Sequence, residues 1–418
     1  MRKVAVIGAG ISGLSAANIL SDKFEVKVFE GDNQPGGLIK CRNINGSLFH
    51  TCGGHVFNSK RQDVLDWFWS RFHIEEDFIK AKRNSIITME DDTIIPYPIE
   101  DHLYYLPTDI QKECIKDLLQ IANSPKVLSK NFEEYLVNQF GKTLYNLYFK
   151  PYNEKIWQTE LNTIPLAWLE GKLPISTVEN LIFNNINHIK ETTFVHSSFW
   201  YEKVGGSQFI ADTLAKGLNI SYSSRVELVI YDSKCKAWTI NNEKFDIVVF
   251  CGNIKDLFHI IEGIDISMFH EDITALGYHG TTTVFCEIDK NPYSWIYQPS
   301  SKHKSHRIIC TGNFSDSNND KSLPQDRITA TIEFTDSISL IDILDNLKQI
   351  PYNPKYICHE YNKFTYPIQN RKTREIILEI KKILSTKGFY LTGRFADWEY
   401  YNMDMAIGAA MDLCETIK

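Results

Sequence analysis

The chain has 418 residues, 43% of them hydrophobic and 12% aromatic, which is enough to build two or three globular domains with sizeable cores. Its net charge of −7 at pH 7 supplies no broad basic surface and argues against nucleic-acid binding. The nine cysteines include no CxxC pair, which argues against a zinc site and a disulfide framework, and no apolar run approaches the roughly 18 residues of a membrane span. The first strand is expected to begin by residue 3, which leaves no room for a signal peptide. We therefore expect a cytoplasmic protein with reduced thiols.

The first predicted unit runs from Val4 to Glu30 and consists of a strand, a glycine-rich turn, an Ala/Leu-rich helix and a second strand. The turn reads Gly8-Ala9-Gly10-Ile11-Ser12-Gly13. Its glycines suit a tight turn, a close approach of the backbone to a pyrophosphate and close packing of helix on strand, and the helix N-terminus offers free N–H groups to phosphates. Glu30, twenty residues after Gly10, can accept the ribose hydroxyls. The unit predicts a dinucleotide site, and a glycine-rich turn without a ligand is the alternative.

A second glycine pair indicates which dinucleotide to expect. Gln34-Pro35-Gly36-Gly37, followed by Leu38, resembles the second glycine cluster of flavoproteins related to glutathione reductase, which NAD-dependent dehydrogenases usually lack. The predicted cofactor is therefore FAD. Val226 is expected near its adenosine end, and 247–252 is expected to be a buried strand that ends in a glycine. For these two later segments, ordinary sheet without a ligand contact is the alternative.

The middle of the chain changes from one periodicity to another. Residues from about 101 to 190 carry helical spacing, with helices expected to begin near Asp109 and Asn131. Strand patterns follow at 281–285 and 328–334, and a helix, a strand and a final helix close the sequence. This order predicts a nucleotide domain assembled from separate pieces and interrupted by a helical insert and a sheet insert.

Three further segments resemble the UDP-galactopyranose mutase family. Phe49–Phe57 resembles the loop that lies beside the flavin ring in that family, and Phe149–Trp157 is similar to its FFKxYTxKxW segment. Gly393–Met405 is similar to its GR(L/F)xxYxYxxMD signature. The order and spacing hold along nearly the whole chain. The segment 131–157 also resembles a wider group of protoporphyrinogen-oxidase-like and amine-oxidase-like flavoproteins.

The resemblance implies an α/β fold with a Rossmann-type, glutathione-reductase-like FAD-binding domain, a helical insert and a twisted antiparallel sheet domain. We assign the FAD-binding domain to 1–100, 196–265 and 366–418, the helical insert to 101–195, and the sheet domain, which would hold the substrate, to 266–365. Family members often form dimers, so a homodimer is a further expectation.

The resemblance also implies a reaction. Family members interconvert the pyranose and furanose rings of a nucleoside-diphosphate sugar without net redox change: N5 of the reduced flavin attacks the anomeric carbon, the nucleoside diphosphate leaves, and the adduct permits ring opening and reclosure. The leaving diphosphate requires cations, and guanidinium groups suit it best. The implied function is an FAD-dependent isomerase of bacterial surface-polysaccharide biosynthesis, kept reduced by an external donor such as NAD(P)H.

Within these segments, the resemblance assigns roles to individual residues. Arg394 and Tyr400 match residues that contact the diphosphate, and Arg307 resembles a second phosphate-binding arginine. His55 is expected to hydrogen-bond to the flavin. The complete expected sets are catalytic residues His55, Arg307, Arg394 and Tyr400; additional flavin contacts from His50, Gly393, Arg394 and Met403; and substrate contacts from Trp157, Arg307, Tyr366, Arg394, Tyr400 and Asn402. The alternatives are a surface ion pair for Arg394, a solvated basic loop for Arg307, core packing for Tyr400 and Trp157, and a loop brace for His50.

Two departures from the family pattern concern the substrate. The family's mobile loop carries an arginine that clamps the diphosphate, whereas the matching stretch here is 172–176, with Ser176 at that position, and no arginine occurs between Arg83 and Arg225. Lys172 or Lys190 could supply a point charge there without bidentate geometry. The acid usually found two residues after the signature tyrosine is Asn402 here. The sugar and the base therefore stay open.

Two other functions are compatible with the sequence. An FAD-dependent oxidase or desaturase of the amine-oxidase or protoporphyrinogen-oxidase-like group would have an apolar or amine-binding cavity and no diphosphate clamp. A flavin-bound sensor or assembly subunit would need no catalytic residues, and the paired arginines argue against it.

Overall fold

The computed structural model describes residues 1–125, 127–166, 176–189 and 198–418. The described residues up to 215 contain, in chain order, β1 (Lys3–Ile7), α1 (Ile11–Leu20), β2 (Glu25–Phe29), β3 (Cys41–Ile44), β4 (Ser47–His50), α2 (Gln62–Trp69), α3 (Ile74–Asp77), β5 (Phe78–Lys82), β6 (Ser85–Thr88), β7 (Ile94–Pro96), α4 (Thr108–Asn123), α5 (Phe132–Phe140), α6 (Lys142–Leu144), a π-helical turn (Tyr145–Phe149), α7 (Lys150–Trp157), α8 (Val178–Asn187), β8 (Ser198–Glu202) and α9 (Ser207–Ala215).

The remainder contains β9 (Ile220–Ser221), β10 (Val229–Asp232), β11 (Ala237–Ile240), β12 (Glu243–Phe245), β13 (Ile247–Phe250), α10 (Ile254–Ile260), β14 (Ile261–Glu262), α11 (His270–Thr274), β15 (Gly277–Asp289), β16 (Trp295–Tyr297), β17 (Arg307–Ile309), β18 (Arg327–Thr335), α12 (Leu340–Leu347), β19 (Lys355–Ile368), α13 (Thr373–Ser385), β20 (Phe389–Leu391) and α14 (Met403–Thr416). None of the helices in the described residues is both long enough and apolar enough to cross a membrane.

A five-stranded parallel sheet forms the centre of the nucleotide domain. Its strand order is β20-β13-β1-β2-β9. Val4 and Val6 of β1 pack in one core with α1 and α14, whereas Ala5 packs in a second core with α10 and α13. Because helices cover β1 on both faces, its sequence is a nearly continuous run of apolar residues. The predicted Rossmann-type α/β fold is confirmed.

A seven-stranded sheet forms the second layer, with the order β19-β15-β18-β17-β16-β6-β7. All neighbours in it are antiparallel except β6 and β16, which are parallel, so the expected antiparallel sheet is in fact mixed. Strands β6 and β7 lie within the predicted segment 1–100 yet belong to this sheet. The sequence did not indicate this pairing, because a strand pattern does not specify its partner and β16 comes far later in the chain.

Side-chain alternation gives this sheet two different faces. Ile86, Ile296 and Ile308 point into an apolar core that α12 covers. On the other face, the side chains of the intervening positions pack towards the helical region. We call this second face the site face; it carries Ser85, Ile87, Trp295, Tyr297, Arg307, Ile309 and Glu333.

Helices α4 to α8 cover the site face. The predicted start of α5 is confirmed, since the Asn131 side chain accepts from the Glu134 N–H at 2.9 Å as an N-cap. A π-helical turn at 145–149 leads into α7. Such turns often occur at functional sites, and here the turn and α7 carry Tyr148, Tyr152 and Trp157 towards the sheet.

Candidate active site

Two glycine clusters form a backbone cradle at the carboxyl end of β1. Gly10 and Gly36 form a β-bridge. A Cβ at Gly37 would lie 3.2 Å from the Gly10 Cα, and a Cβ at Gly13 would overlap the Gly8 carbonyl oxygen. Gly8 adopts φ +104°, a conformation that favours glycine. The cradle therefore lies directly before the N-terminus of α1 and suits a pyrophosphate.

Glu30 directly follows β2 beside this cradle. Its carboxylate accepts from the N–H of Ala9 at 2.6 Å and from that of Asp32 at 2.9 Å. The Ser224 N–H donates to the Glu30 carbonyl oxygen at 2.8 Å, which brings the Val226 segment alongside. The Val226 side chain is buried in the domain core. The structure thus brings Glu30 and Val226 together on the side predicted for the adenosine.

The C-terminal signature reaches the same cradle. Gly393 adopts φ +113°, and a Cβ there would lie 3.2 Å from the Ser12 Oγ at the start of α1. Met403 is the first residue of α14, which packs on α1, and Asn402 is the N-cap of α14. Segments from both ends of the described chain therefore meet at the predicted flavin site.

His50 is a buried member of a hydrogen-bond network within the protein. Its Nε2 lies 2.8 Å from the Tyr201 hydroxyl, its Nδ1 lies 3.3 Å from the Ser207 Oγ, and the His55 N–H donates to Nδ1 at 3.4 Å. Burial, followed by the neighbouring His55, lowers the pKa of His50 to about 3. Both ring nitrogens already have protein partners, so this geometry favours the bracing role over a flavin contact.

His55 has hydrogen-bonding capacity to spare. Burial, followed by Arg394, lowers its pKa to about 4, so the imidazole is neutral at pH 7. Its Nε2 is buried and has no hydrogen-bond partner among the described residues. A buried polar atom without a partner is costly, and a ligand would satisfy it. Together with the glycine cradle and Glu30, this atom fits a flavin dinucleotide.

A buried carboxylate, Glu333, organises the substrate side. Its Oε2 pairs with the Arg307 guanidinium, and its Oε1 accepts from the Gly53 N–H at 2.8 Å, in the loop that leads to His55. Glu333 is fully buried. Burial alone would raise its pKa, but Arg307 and the neighbouring His306 hold it below the usual range. Glu333 therefore fixes both the guanidinium and the flavin loop.

Arg394 is held by backbone carbonyls. Its Nε donates to the Tyr401 oxygen at 3.0 Å, Nη2 donates to the same oxygen, and Nη1 donates to the Thr365 oxygen at 3.1 Å. The guanidinium carbon lies 5.2 Å from the centre of the Tyr400 ring. Because no carboxylate pairs with Arg394 in the described residues, its charge remains available to an anion.

Three aromatic residues connect the two arginines. The centre of the Trp157 ring lies 5.8 Å from that of Tyr366 and 6.4 Å from that of Tyr400. The Tyr366 and Tyr400 ring centres lie 5.5 Å apart. The Tyr366 hydroxyl accepts from Arg307 Nη2 at 3.0 Å. The structure thus brings together Arg307, Arg394 and all three aromatic residues that the sequence selected.

The sequence interpretation missed two residues that hold this cluster. Glu333 lies in a strand pattern that was interpreted only as sheet, and a lone acid within an apolar strand was the available signal. His279 Nε2 lies 2.6 Å from the Trp157 carbonyl oxygen, while its Nδ1 lies 2.7 Å from Asp336 Oδ2. His279 thereby anchors the C-terminal end of α7, and no local pattern indicated it.

The predicted substitutes for the loop arginine fall largely outside the described residues. Lys172 and Lys190 both lie there, whereas Ser176 is described and its carbonyl oxygen accepts from the Gln139 side chain. Within the described ranges, no group of three or more His, Cys, Asp or Glu side chains is arranged to hold a metal ion.

Comparisons with known proteins agree with this geometry. Residues 6–72 match the pattern of the NAD(P)-binding Rossmann-like domain. The chain is 23% identical to UDP-galactopyranose mutase of Mycoplasma genitalium over 428 residues, covering 97% of this chain and 92% of that protein. It is 27% identical to dTDP-fucopyranose mutase of Escherichia coli over 187 residues, covering 42% of this chain and 46% of that protein. A crystal structure of reduced UDP-galactopyranose mutase superposes with a TM-score of 0.86 and 19% identity, covering 100% of this chain and 94% of that one.

These findings confirm the resemblance to the UDP-galactopyranose mutase family and the fold that it implies. They also support a Rossmann-like dinucleotide-binding domain at the N-terminus. The roles of the individual site residues and the proposed domain boundaries stay predictions.

Proposed function

We propose that this chain is a flavin-dependent mutase that interconverts the pyranose and furanose forms of a nucleoside-diphosphate sugar. The observation that carries the proposal is the pair Arg307 and Arg394, which contact the neighbouring Tyr366 and Tyr400 rings beside the His55 loop. Relatives whose names include UDP-galactopyranose mutase and dTDP-fucopyranose mutase support the same class of reaction.

The residues of the cradle would hold the FAD. Gly10 and Gly37 leave room for the pyrophosphate, and Gly13 lets α1 pack closely on the Gly8 turn. Glu30 would accept the ribose hydroxyls, and the unpartnered His55 Nε2 would hydrogen-bond near the flavin ring. When bound and reduced, the flavin supplies a nucleophilic nitrogen for the anomeric carbon of the sugar.

The arginine pair binds and orients the diphosphate. Arg307 carries the charge that Glu333 partly balances, whereas Arg394 is fixed by carbonyls and keeps its full charge. Guanidinium groups held in this way are preorganised, so they stabilise the charge that develops as the diphosphate leaves without rearranging at that moment. The Trp157, Tyr366 and Tyr400 rings exclude water from the sugar.

The cellular setting is part of the proposal. The reaction would take place in the cytoplasm and supply furanose sugars to surface-polysaccharide synthesis, and an external donor such as NAD(P)H would keep the flavin reduced. A homodimer is the expected assembly.

The reaction is tested by turnover in two redox states. Dithionite-reduced protein is expected to convert a nucleoside-diphosphate hexose to its ring isomer in a chromatographic assay, whereas the oxidised protein is expected to be inactive. Conversion by the oxidised protein with consumption of oxygen would contradict the mutase and favour the oxidase.

The arginine pair is tested by substitution. Arg394→Lys keeps the charge but loses the planar fork, and kcat/KM is expected to fall about 100-fold. Arg61→Lys is the matched control, because Arg61 pairs with Asp63 and Asp412 on the surface of the nucleotide domain. Equal values of kcat/KM for the two variants would contradict a role of Arg394 in binding the diphosphate.

A further inference from the structure

Lys155 lies in α7, and its ammonium group binds a loop of the seven-stranded sheet. Nζ donates to the carbonyl oxygens of Gln298 at 3.0 Å and Ser305 at 2.9 Å, and also to that of Ser300. All three acceptors belong to residues 298–306, which join β16 to β17 and which we call the hairpin loop. An ammonium group has three donors, so the hairpin loop occupies all of them.

The backbone of Lys155 is fixed to the same sheet. Thr335, the last residue of β18, donates from Oγ1 to the Lys155 carbonyl oxygen at 2.8 Å. Two residues further on, the Trp157 carbonyl oxygen lies 2.6 Å from Nε2 of His279 on β15. Because both carbonyl oxygens are held, Lys155 forms a rigid connection between β18 and the hairpin loop.

The hairpin loop ends at the diphosphate site. Arg307 follows the loop as the first residue of β17, and its guanidinium pairs with Glu333 on β18. This pair fixes the end of the Arg307 side chain, whereas the three Lys155 hydrogen bonds fix the backbone that precedes Arg307. A displacement of the hairpin loop would therefore move the guanidinium away from its position on the site face.

We propose that Lys155 is a positioning residue that holds Arg307 in the orientation that binds the diphosphate. This inference rests on the proposed function. Lys155 acts through the backbone of the hairpin loop. Arg394 keeps its own contacts with carbonyl oxygens, so it still stabilises the leaving diphosphate when the hairpin loop is displaced. Loss of the Lys155 hydrogen bonds is therefore expected to raise KM more than it lowers kcat.

The hold on the hairpin loop is expected to weaken at alkaline pH. Burial lowers the pKa of Lys155 from 10.5 to about 8, and the charge of Glu90 only partly opposes this. A neutral lysine has two donors and a lone pair, so one of the three carbonyl oxygens then faces the lone pair. Loss of the Lys155 proton between pH 7 and pH 9 should consequently loosen the hairpin loop.

The other titratable groups around the hairpin loop keep one charge state over this range; they are Glu90, His303, His306, Arg307 and Glu333. Burial lowers the pKa of His303 to about 4 and also lowers that of His306, so both imidazoles are neutral above pH 7. Hydrogen bonds from Ser300 and Ser301 lower the pKa of Glu90, and for Glu333 the charge of Arg307 outweighs burial and lowers the pKa. Lys302 pairs with Asp92 at 3.5 Å.

The first test compares KM and kcat of the reduced, flavin-loaded protein, with UDP-galactopyranose and dTDP-fucopyranose as the substrates. Lys155→Met keeps the length of the side chain but removes all three donors, and KM is expected to rise about 10-fold while kcat stays within about twofold. Lys255→Met is the matched control, because Lys255 Nζ also donates to backbone oxygens, those of Thr274 at 2.6 Å and Leu276 at 2.8 Å. An equal KM in the two variants, or a fall in kcat alone, would overturn the inference.

A pH profile distinguishes positioning from packing. The KM of the native protein is expected to rise about threefold or more between pH 7 and pH 9, as Lys155 loses a donor. Lys155→Arg stays charged over this range, so its KM is expected to stay level. This comparison also decides the matter if Lys155→Met does not fold, as judged by its flavin content. The same rise in Lys155→Arg and in the native protein would overturn the inference.

Amide hydrogen exchange tests the hairpin loop without the reaction. The Gln298 N–H donates to the His306 carbonyl oxygen at 2.9 Å across the loop, so exchange reports its opening. Exchange at 298–306 is expected to be about fivefold faster in Lys155→Met than in Lys255→Met. Equal rates would overturn the inference. A native protein that converts neither sugar would overturn the proposed function, and the exchange rates would then decide alone whether Lys155 fixes the backbone before Arg307.

Discussion

The nucleotide cradle and the site face are suited to anions by opposite means. In the cradle, glycines remove side chains so that backbone N–H groups can approach a pyrophosphate, and its main parts lie within residues 8–37. On the site face, the charge comes from side chains, and Arg307 depends on Glu333 from a neighbouring strand. The cradle is therefore sensitive to added atoms, whereas the site face is sensitive to lost charges. Substitutions that test this contrast are expected to have effects that decrease in the order below.

The largest effect is expected from Gly13→Val in the cradle. A side chain at this position would overlap the Gly8 carbonyl oxygen and push α1 away from β1. The purified variant is expected to lack flavin or to be insoluble, as measured by flavin absorbance per protein. Gly277→Ala is the control, because its Cβ would lie at an ordinary 3.5 Å from Ile368. Flavin retained at the native ratio in Gly13→Val would refute the close-packing argument.

A smaller but still large effect is expected from Glu333→Gln on the site face. The substitution leaves the Arg307 charge without its buried partner, which costs about 3–5 kcal/mol of unfolding free energy. Denaturant unfolding measures the loss. Glu25→Gln breaks an exposed pair with Lys3 at 3.3 Å and is expected to cost at most about 1 kcal/mol. Similar losses in the two variants would mean that the buried pair has no special importance.

Tyr366→Phe separates the hydrogen bond from the ring packing. The variant loses the acceptor for Arg307 Nη2 at 3.0 Å but keeps the ring next to Trp157 and Tyr400. A roughly 10-fold increase in KM is expected, with little change in stability. Tyr361→Phe removes a hydroxyl from a ring that is 43% exposed and should leave the kinetics unchanged. A drop in stability without a kinetic effect would assign Tyr366 to packing alone.

The smallest effect is a dependence of stability on pH that His50 introduces. Burial lowers the pKa of His50 from 6.5 to about 3, so between these values the unfolded chain takes up a proton that the folded protein does not. The unfolding free energy should therefore fall as the pH drops below 6.5, by about 1 kcal/mol at one pH unit below that value. His50→Gln is expected to make this slope shallower. An unchanged slope would assign the acid sensitivity to other groups.

The parts of the molecule that could be predicted from sequence are those with local signals. The glycine spacing indicated the cradle, and Asn131 marked the start of α5, because caps and turns depend on neighbouring residues. Glu333 and His279 were missed because their partners, Gly53 and Trp157, lie far away along the chain. The assignment of β6 to the seven-stranded sheet was missed for the same reason. Long-range pairing leaves no mark in a local pattern.

The strand order of the parallel sheet has a consequence for how the protein acquires its fold. β1 and β2 come from the first thirty residues, but β1 also pairs with β13, and β13 pairs with β20 near the end of the sequence. Residues 6–72 match a Rossmann-like domain yet supply only two of the five strands. We therefore expect that stretch not to fold on its own. The sheet closes only after very long chain loops have been brought together, which makes slow folding through non-local contacts the expected behaviour.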